Sequence, residues 1–329
     1  MLILFRNHPL KIFSEVFNKY SILIVLSAII VYALFFVPHF ASKTNLMAIM
    51  FQYAIIAFLA LGQFLVVLTG GIDLSQGSLL ALTSIIAAVA MTHFGLVPAL
   101  LLAIIGCTLL GIVSGSLVVF TKMPPFIVTL GMLGIGRGLA KFIANAKPVP
   151  IKDPFFRSLG RKVVLGLPLS VILLIIVCIV LIWFLKNKRL GRYIYAVGSN
   201  EESARLSGIS TKKVKLFVYA MSAFLTSLGG LIWAARLGSG SPIGGANYEM
   251  ESIAAVIVGG GILSGGKGSV TGTIAGVVLF GVINSILNLS GISPFWQGAI
   301  KGALILLAVA ASQVQSKRNF SVERWAENE

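Results

Sequence analysis

The segment that most resembles a catalytic motif is Gly261–Gly268, which reads Gly-Ile-Leu-Ser-Gly-Gly-Lys-Gly. Glycine-rich loops can bind phosphates through backbone N–H groups, but a nucleotide-binding loop also requires Ser or Thr directly after its lysine to bind Mg²⁺. Here Gly268 follows Lys267, and no strand of a soluble domain precedes the segment. We therefore predict a glycine-rich break between two helices at this position, and no nucleotide site.

Side chains that could bind a metal or act as nucleophiles are few and dispersed. Cys107 and Cys178 both lie in apolar runs, and the histidines are far apart, at His8, His39 and His93. Such spacing forms neither a disulfide framework nor a set of metal ligands, and no Ser/His/Asp combination is evident. The sequence therefore predicts a protein that is not an enzyme and that binds no metal or cofactor of its own.

Two isolated charges lie within otherwise apolar sequence, where an ionised group is costly and often functional. Asp73 lies in the break Gly70–Ser75, and it either caps the following helix or acts in gating or partner contact. Arg137 lies in the middle of an apolar segment, where its charge costs about 3 kcal/mol or more unless it is paired or hydrated. We expect a water-filled cavity, or a carboxylate such as Glu249 or Glu251, to satisfy Arg137.

The elements that position these residues are membrane spans. The chain has 329 residues, of which 57% are hydrophobic and 11% are charged, and its mean hydropathy is +0.98. A span needs about 20 apolar residues. We predict about ten spans, so the expected fold class is an all-α integral membrane protein, a polytopic bundle with glycine-rich breaks. The predicted spans are residues 21–37, 46–69, 77–93, 96–120, 125–146, 167–185, 216–236, 251–265, 270–289 and 295–314.

The net charge of +16 indicates a membrane protein and not a nucleic-acid-binding one, because the positive residues flank apolar segments. With the N-terminus inside, 16 of the 26 Lys and Arg residues fall on the inner side, whereas the loop from Lys141 to Lys162 places six of them outside. Lys301, in the tenth span, is expected to reach the interface with its long side chain. We expect both termini in the cytoplasm, one membrane domain over residues 1–315, and a short cytoplasmic tail over residues 316–329.

Glycine spacing predicts how the spans pack, since small residues allow close helix approach in lipid. Glycines four residues apart occur at Gly111 and Gly115, Gly134 and Gly138, Gly298 and Gly302, and in the series Gly268, Gly272 and Gly276. Their number predicts a compact bundle. The break Thr69–Gly77 also resembles the break Val258–Gly268, a likeness that suggests internal duplication.

The longest polar stretch, Lys186–Lys215, predicts a short helix on the water side of the membrane. Ser199 and Glu202 have the spacing of a capping box. Glu201 adds negative charge at the helix N-terminus, and Gly208 is a natural end. A helix of about two turns is marginal in isolation, so we predict that a soluble partner docks against it.

Several motifs together are specific enough to indicate a family. They are Gly70–Ser75, Pro125–Gly131, Gly191–Asn200, Ala204–Ile209 and Val258–Gly272. Over about residues 20–314 the chain resembles the permease subunit of the ATP-binding-cassette importers for ribose, xylose and related monosaccharides. In such permeases the loop that contacts the ATPase often carries Glu-Ala-Ala-x-x-x-Gly. The segment from Glu202 to Gly208 keeps the glutamate, one alanine and the glycine, with Ser203 replacing the other alanine.

The resemblance implies a transport subunit that performs no chemistry itself. A cytoplasmic ATPase would use ATP and Mg²⁺, a periplasmic or extracellular sugar-binding protein would deliver the solute, and a second permease copy or a homologue would complete the path across the inner (plasma) membrane. On the coupling loop, residues 186–215, the residues expected to contact the ATPase are Ser199, Asn200, Glu201, Glu202, Ala204 and Gly208. The residues expected to gate or line the path are Asp73, Ser75, Gln63, Thr129, Arg137, Asn284 and Asn288.

Other functions compete with this interpretation. A secondary transporter or channel that works alone would carry ion-coupling carboxylates in its spans, and the sequence offers few. A membrane enzyme is disfavoured because no catalytic combination is present. A permease of the same family for a nucleoside or a furanose-like signalling molecule stays open, because the sequence does not identify the solute.

Overall fold

The computed structural model describes residues 9–293, 295–304, 306–307 and 310. The predicted tail, residues 316–329, lies outside them. The helices are α1 (Pro9–Phe36), α2 (Lys43–Leu68), α3 (Gln76–Phe94), α4 (Leu96–Phe120), α5 (Pro125–Ile143), α6 (Pro154–Leu159), α7 (Leu169–Asn187), α8 (Arg189–Ser199), α9 (Glu201–Leu206), α10 (Thr211–Leu237), α11 (Tyr248–Val258) and α12 (Val270–Leu289), and residues 295–304 are also helical. The short strands are β1 (Val149–Pro150), β2 (Val163–Val164), β3 (Leu167–Pro168) and β4 (Ser239–Gly240); β1 pairs with β4 and β2 with β3, both antiparallel.

Seven of the described helices are long and apolar enough to cross a membrane: α2, α3, α4, α5, α7, α10 and α12. They coincide with seven of the ten predicted spans, which confirms a helical, multi-pass membrane protein. The first predicted span falls on α1, whose apolar part, Ile22–Phe36, is a shorter helix. The tenth predicted span, residues 295–314, extends beyond the described residues. The number ten is therefore not confirmed.

The predicted eighth span, residues 251–265, is wrong as a continuous helix. α11 has 11 residues, which corresponds to about 16 Å and to half the thickness of a bilayer core. Residues 259–269, which follow α11, are not helical, because several glycines in this segment adopt positive φ, among them Gly260 and Gly265. Before α11 the chain forms β4 and turns, since it reads Gly-Ser-Gly-Ser-Pro-Ile-Gly-Gly from residue 238 and such residues disfavour helix. We call residues 238–258 the broken span.

α2 and α10 form the centre of the bundle. Every residue of α2 from Tyr53 to Leu68 is buried, and α10 packs against α2, α3 and α4. A Cβ on Gly111 of α4 would lie 2.7 Å from the Tyr219 carbonyl oxygen, and one on Gly115 would lie 3.0 Å from the Tyr219 Cβ. Glycine therefore allows α4 to approach α10 closely, as the spacing predicts.

Other predicted glycine pairs behave differently. Gly272 and Gly276 hold α12 close to the backbone at Gly259 and Ala255, which confirms their role in helix packing. By contrast, built Cβ atoms on the glycines of two further pairs meet no described atom within 4 Å. These are Gly134 and Gly138 on α5, and Gly298 and Gly302 in the final helical segment. Within the described chain they face open space.

The bundle has two polar ends. α8 and α9 lie at one of them, which we call the coupling end. α6 and the β2–β3 hairpin lie at the other end, from which α7 leads back to α8. At this opposite end, α6 packs on the last turns of α10, and the Arg161 Nε donates to the Arg236 carbonyl (3.3 Å). The basic loop Lys141–Lys162 lies at this opposite end.

Candidate functional site

The predicted coupling helix is present as α9, but its cap differs from the prediction. Asn200 is the N-cap, and its side-chain oxygen accepts a hydrogen bond from the Ser203 N–H (2.8 Å). Ser199 is instead the last residue of α8, so the capping box of Ser199 and Glu202 is wrong. The physical reason is that the extended backbone of Asn200 (φ −159°, ψ 106°) separates the two helices and places its own side chain at the first turn.

The end of α9 confirms the prediction for Gly208. Its φ is +81°, a conformation that glycine adopts without strain. The Gly208 N–H donates to the Arg205 carbonyl (3.0 Å), and the Ile209 N–H donates to the Ala204 carbonyl (3.0 Å). These two bonds are the Schellman pattern. They give α9 a fixed length of six residues.

The surface of α9 combines paired charges with an exposed apolar side chain. Glu201 accepts from the Lys215 Nζ (2.6 Å), and Glu202 accepts from the Arg205 Nε (3.0 Å). Hydrogen bonding to Arg205 lowers the pKa of Glu202 below its usual value. Leu206 is 74% exposed at the water side of the bundle. An apolar side chain in this position is suited to burial against a partner.

The C-terminal end of α8 contacts the second glycine-rich break and the last residue of α2, which directly precedes the first break. The Gly266 N–H donates to the Leu68 carbonyl at the end of α2 (2.9 Å). A Cβ on Gly198 of α8 would overlap that same carbonyl, and one on Gly266 would lie 2.9 Å from the Ser199 Cα. The Tyr195 hydroxyl of α8 donates to the Gly268 carbonyl (3.1 Å). We call this contact between α8, residues 69–75 and residues 259–268 the glycine junction.

Asp73 joins the first break to α10. Its carboxylate is 2% exposed. Oδ1 accepts from the Ser75 N–H (3.0 Å) and hydroxyl (2.6 Å), and Oδ2 accepts from the Ser222 hydroxyl of α10 (2.8 Å). Because α3 begins only at Gln76, the carboxylate binds its neighbour Ser75 and not the N–H groups of the first turn of α3. Asp73 therefore links the first break to α10 and does not cap α3.

Gln63 and Thr129 hold the backbone of the same break. With its nitrogen facing the Asp73 carbonyl, the Gln63 amide donates to that carbonyl (3.0 Å) and accepts from the Asp73 N–H (3.2 Å). The Thr129 hydroxyl of α5 lies 3.2 Å from the Ile72 carbonyl. Both side chains are fully buried. The structure thus brings together Asp73, Ser75, Gln63 and Thr129, four of the residues that the sequence analysis singled out.

Three further polar residues, none of them predicted from the sequence, extend this cluster. The Gln76 Nε2 donates to the Ser222 hydroxyl (3.0 Å), and the Ser252 hydroxyl of α11 donates to the Gln76 Oε1 (2.7 Å). A buried chain of side chains therefore runs from Asp73 through Ser222, Gln76 and Ser252 to the broken span. The signal that could have found them is the one that identified Gln63, an uncharged polar residue within an apolar span.

Arg137 is satisfied by backbone carbonyls of the broken span. Its Nη1 donates to the carbonyls of Pro242 (3.0 Å) and Gly244 (2.8 Å). Among the described residues no carboxylate forms a direct ion pair with Arg137, because the turn before α11 presents its carbonyls to α5. Glu249, one of the two expected carboxylates, nevertheless lies near enough for its charge to act on the guanidinium. Glu251 pairs instead with the Lys301 Nζ (2.7 Å). That pair also corrects the expectation that Lys301 reaches the interface.

Asn284 and Asn288 do not belong to the Asp73 cluster. Both lie in the second half of α12, and Asn288 accepts from the Gln297 Nε2 (2.9 Å). The adjacent Ser285 donates to Asn45 at the start of α2 (2.9 Å), which places this part of α12 at the opposite end. Their proposed role in the path stays a prediction.

The chemistry that the described residues support is hydrogen bonding and conformational change. Within the described part of the chain, no group of three or more His, Cys, Asp or Glu residues is placed to hold a metal ion. The site consists of two glycine-rich breaks that contact each other, the helix α8 that packs against the second break and the end of α2, and the short exposed helix α9 next to it.

Comparisons with known proteins agree with this geometry. A family model described as branched-chain amino acid transport system / permease component matches residues 45–309. The ribose import permease of Haemophilus influenzae is 43% identical over 282 residues, 83% of this chain and 86% of the relative. The ribose import permease of Bacillus subtilis is 38% identical over 283 residues (85% and 88%), and the galactose/methyl galactoside import permease of Escherichia coli is 34% identical over 319 residues (91% and 94%). No solved structure matches the chain.

The fold and these matches define a multi-pass membrane permease of a transport system. The chain belongs to the permease family that contains the ribose import permeases, which confirms the resemblance inferred from its motifs.

Proposed function

We propose that this chain is the membrane subunit of an ATP-binding-cassette importer that carries ribose or a related monosaccharide into the cell. The substrates named for its relatives, ribose and galactose, favour a monosaccharide. The observation that carries the proposal is the connection of α9 to the two breaks. α9 exposes Leu206 to a partner. α8, directly before it, contacts the second break and the end of α2, and the second break in turn contacts the first where Gly265 approaches Gly70.

This connection supports a route for the movement. A cytoplasmic ATPase, which binds and hydrolyses ATP with Mg²⁺, docks on α9 through Asn200, Glu201, Glu202 and Gly208. Ala204, also predicted to make this contact, is 5% exposed and packs into the core of the bundle instead. Its closure displaces α8 and the start of α10, which follows α9 after four residues. The displacement reaches residues 69–75 through the glycine junction and through the bond of Ser222 to Asp73. The broken span then changes its tilt and switches access from one side of the membrane to the other.

The same proposal assigns a topology and the remaining partners. With the seven long apolar helices, α1, the broken span and the final helical segment complete ten crossings. Both termini and the coupling end then lie in the cytoplasm, and the chain lies in the inner (plasma) membrane. The positive residues around α8 and α9 favour this orientation. The opposite end then meets a sugar-binding protein, and the basic loop Lys141–Lys162 is a surface for an acidic one. A second permease copy faces α5, whose glycines Gly134 and Gly138 are open.

Replacement of Gly208 tests the docking helix. Gly208→Val forces a β-branched residue to adopt a φ of +81°, which costs about 1–2 kcal/mol. If that cost falls on the docked conformation, sugar-stimulated ATP hydrolysis by the assembled complex should fall about 5- to 30-fold. The matched control is Gly166→Val in the β2–β3 turn, because Gly166 has the same φ and also has no atom within 4 Å of a built Cβ.

Two results would count against the proposal. Equal ATP hydrolysis and uptake in Gly208→Val and Gly166→Val would remove the docking role of α9. Uphill sugar uptake by the purified chain alone in proteoliposomes, without an ATPase, would instead identify a secondary transporter.

A further inference from the structure

Asn247 is an exposed polar residue in an unusual position. It lies in the broken span directly before α11, where its φ is +68° and its side chain makes no capping hydrogen bond. Asparagine tolerates this left-handed backbone, so the turn itself is explained. The role of the side-chain amide is not explained, because an N-cap side chain ordinarily accepts a hydrogen bond from the first turn of the helix and that of Asn247 does not.

The position of Asn247 is about half-way through the membrane. α11 runs from it for about 16 Å to residues 259–268, which contact α8 at the coupling end. On its other side, β4 pairs with β1 towards the opposite end. Two residues before Asn247, a Cβ on Gly245 would lie 3.1 Å from the Gly77 carbonyl, near the start of α3. Lipid chains cannot satisfy an amide at this depth, so Asn247 must face water, solute or another chain.

The turn that carries Asn247 is held from one side and open on the other. Arg137 of α5 donates to the carbonyls of Pro242 and Gly244 in that turn (3.0 and 2.8 Å). Glu249, the other charged group next to Asn247, is only 6% exposed. Asn247 is thus the polar side chain that the turn presents outward, between the exposed apolar residues Ile243 and Met250.

We propose that the Asn247 amide is a contact point for the transported solute, and that it exchanges hydrogen bonds with a hydroxyl group of an uncharged, polyhydroxylated molecule at the midpoint of the path. An amide suits this task because it both donates and accepts, as a hydroxyl does. A single neutral contact is weak enough for the solute to leave again, which conduction requires. Arg137 acts as a positioning residue, since it holds the turn. The inference rests on the proposed function and specifies its solute path.

Replacement by glycine isolates the amide. Asn247→Gly removes the side chain and keeps the left-handed backbone, which glycine adopts freely. We expect uptake of radiolabelled ribose by the complete importer in proteoliposomes, below saturation, to fall about 3- to 10-fold. The matched control is Lys122→Gly, because Lys122 is also an exposed polar residue with positive φ (+57°) but lies in the turn between α4 and α5, outside the segments assigned to the path and to the partners. This control should take up ribose as the unmodified importer does.

A labelling experiment tests the same surface without transport. In a chain with Cys107 and Cys178 replaced by alanine, N247C should react with a membrane-impermeant, hydrophilic maleimide, and ribose should slow the reaction.

The outcomes separate the two proposals. Robust uptake by the unmodified importer with equal rates for the Asn247→Gly and Lys122→Gly variants would overturn the contact point and leave the proposed function intact. Absence of ribose uptake by the unmodified importer would instead refute ribose transport, and the labelling would still decide whether Asn247 faces a path. Failure of N247C to react, or its cross-linking to a second copy of the chain, would show a buried interface and overturn the inference.

Discussion

The glycine junction is the contact on which the proposed coupling depends, and Gly265→Ala perturbs it most selectively. Gly265 has a φ of +93°, and a Cβ on it would lie 2.8 Å from the Gly198 carbonyl oxygen and 2.9 Å from the Gly70 nitrogen. A single methyl group would therefore push α8 and the first break apart. Gly260→Ala is the matched control, because Gly260 lies in the same segment with a φ of +89° and no atom within 4 Å of a built Cβ.

The magnitude follows from comparing the two variants. Both add the cost of a left-handed alanine, about 1–2 kcal/mol. Only Gly265→Ala also adds overlap with two rigid backbone segments, and overpacking of this kind costs about 1–3 kcal/mol. If this second cost falls on the conformation in which the junction is closed, the population of that conformation falls about 5- to 150-fold relative to Gly260→Ala.

The assay is ATP-driven uptake by the assembled importer, normalised to the amount of inserted permease, with ATP hydrolysis measured in parallel. We expect Gly265→Ala to lose uptake while Gly260→Ala keeps most of it. Equal uptake by the two variants would show that the glycine junction carries no part of the movement, and the proposed route would be refuted.

Two further predictions concern the stability of the permease. Ser222→Ala removes a donor to the buried Asp73 carboxylate (2.8 Å) and should lower the free energy of unfolding by about 1–3 kcal/mol, measured in mixed detergent micelles. Lys301→Met breaks the 2.7 Å ion pair with Glu251, whose side chain is 13% exposed. Lys301→Met should lower the free energy of unfolding by about 1–3 kcal/mol. This is less than the loss for a fully buried pair, because both side chains keep some solvent contact.

Each of these predictions has a control. Ser158→Ala removes an exposed hydroxyl that donates only to the nearby Phe155 carbonyl. If Ser158→Ala and Ser222→Ala lowered the free energy of unfolding equally, a special role for Ser222 would be contradicted. For the ion pair, Glu251→Gln added to Lys301→Met should cost less than the sum of the two single changes. Strict additivity would mean that the two side chains do not interact.

The sequence was sufficient for features that depend on local rules. Seven spans follow from runs of apolar residues, and α9 with its end at Gly208 follows from capping chemistry. The N-cap could not be assigned, because Ser199 and Asn200 are both good capping residues. The choice depends on where α8 ends, which packing at the glycine junction decides.

The tertiary part of the site was only partly predictable. Polarity within a span selected Gln63 and Thr129 as residues of the path, and they lie in the Asp73 cluster, while their role in the path stays a prediction. The same rule selected Asn284 and Asn288, which lie elsewhere, and it omitted Ser222. Polarity does not tell which face of a helix meets which neighbour. The eighth predicted span was wrong as a continuous helix because hydropathy alone selected the apolar residues 251–265. α11 begins only after Pro242 and the glycines around it, and it ends at Val258, before the glycines of the second break.

The glycine junction has a mechanical consequence. Apart from the bond of the Tyr195 hydroxyl, its contacts join main chain to main chain, as in the bond from the Gly266 N–H to the Leu68 carbonyl (2.9 Å) and the close approach of Gly198 to that carbonyl. A contact between long side chains can absorb a displacement of an ångström by changing rotamers, whereas peptide groups have no such compliance. A small shift of α8 must therefore either move both breaks by a similar distance or separate them entirely, so the junction behaves as a stiff linkage and not as a spring.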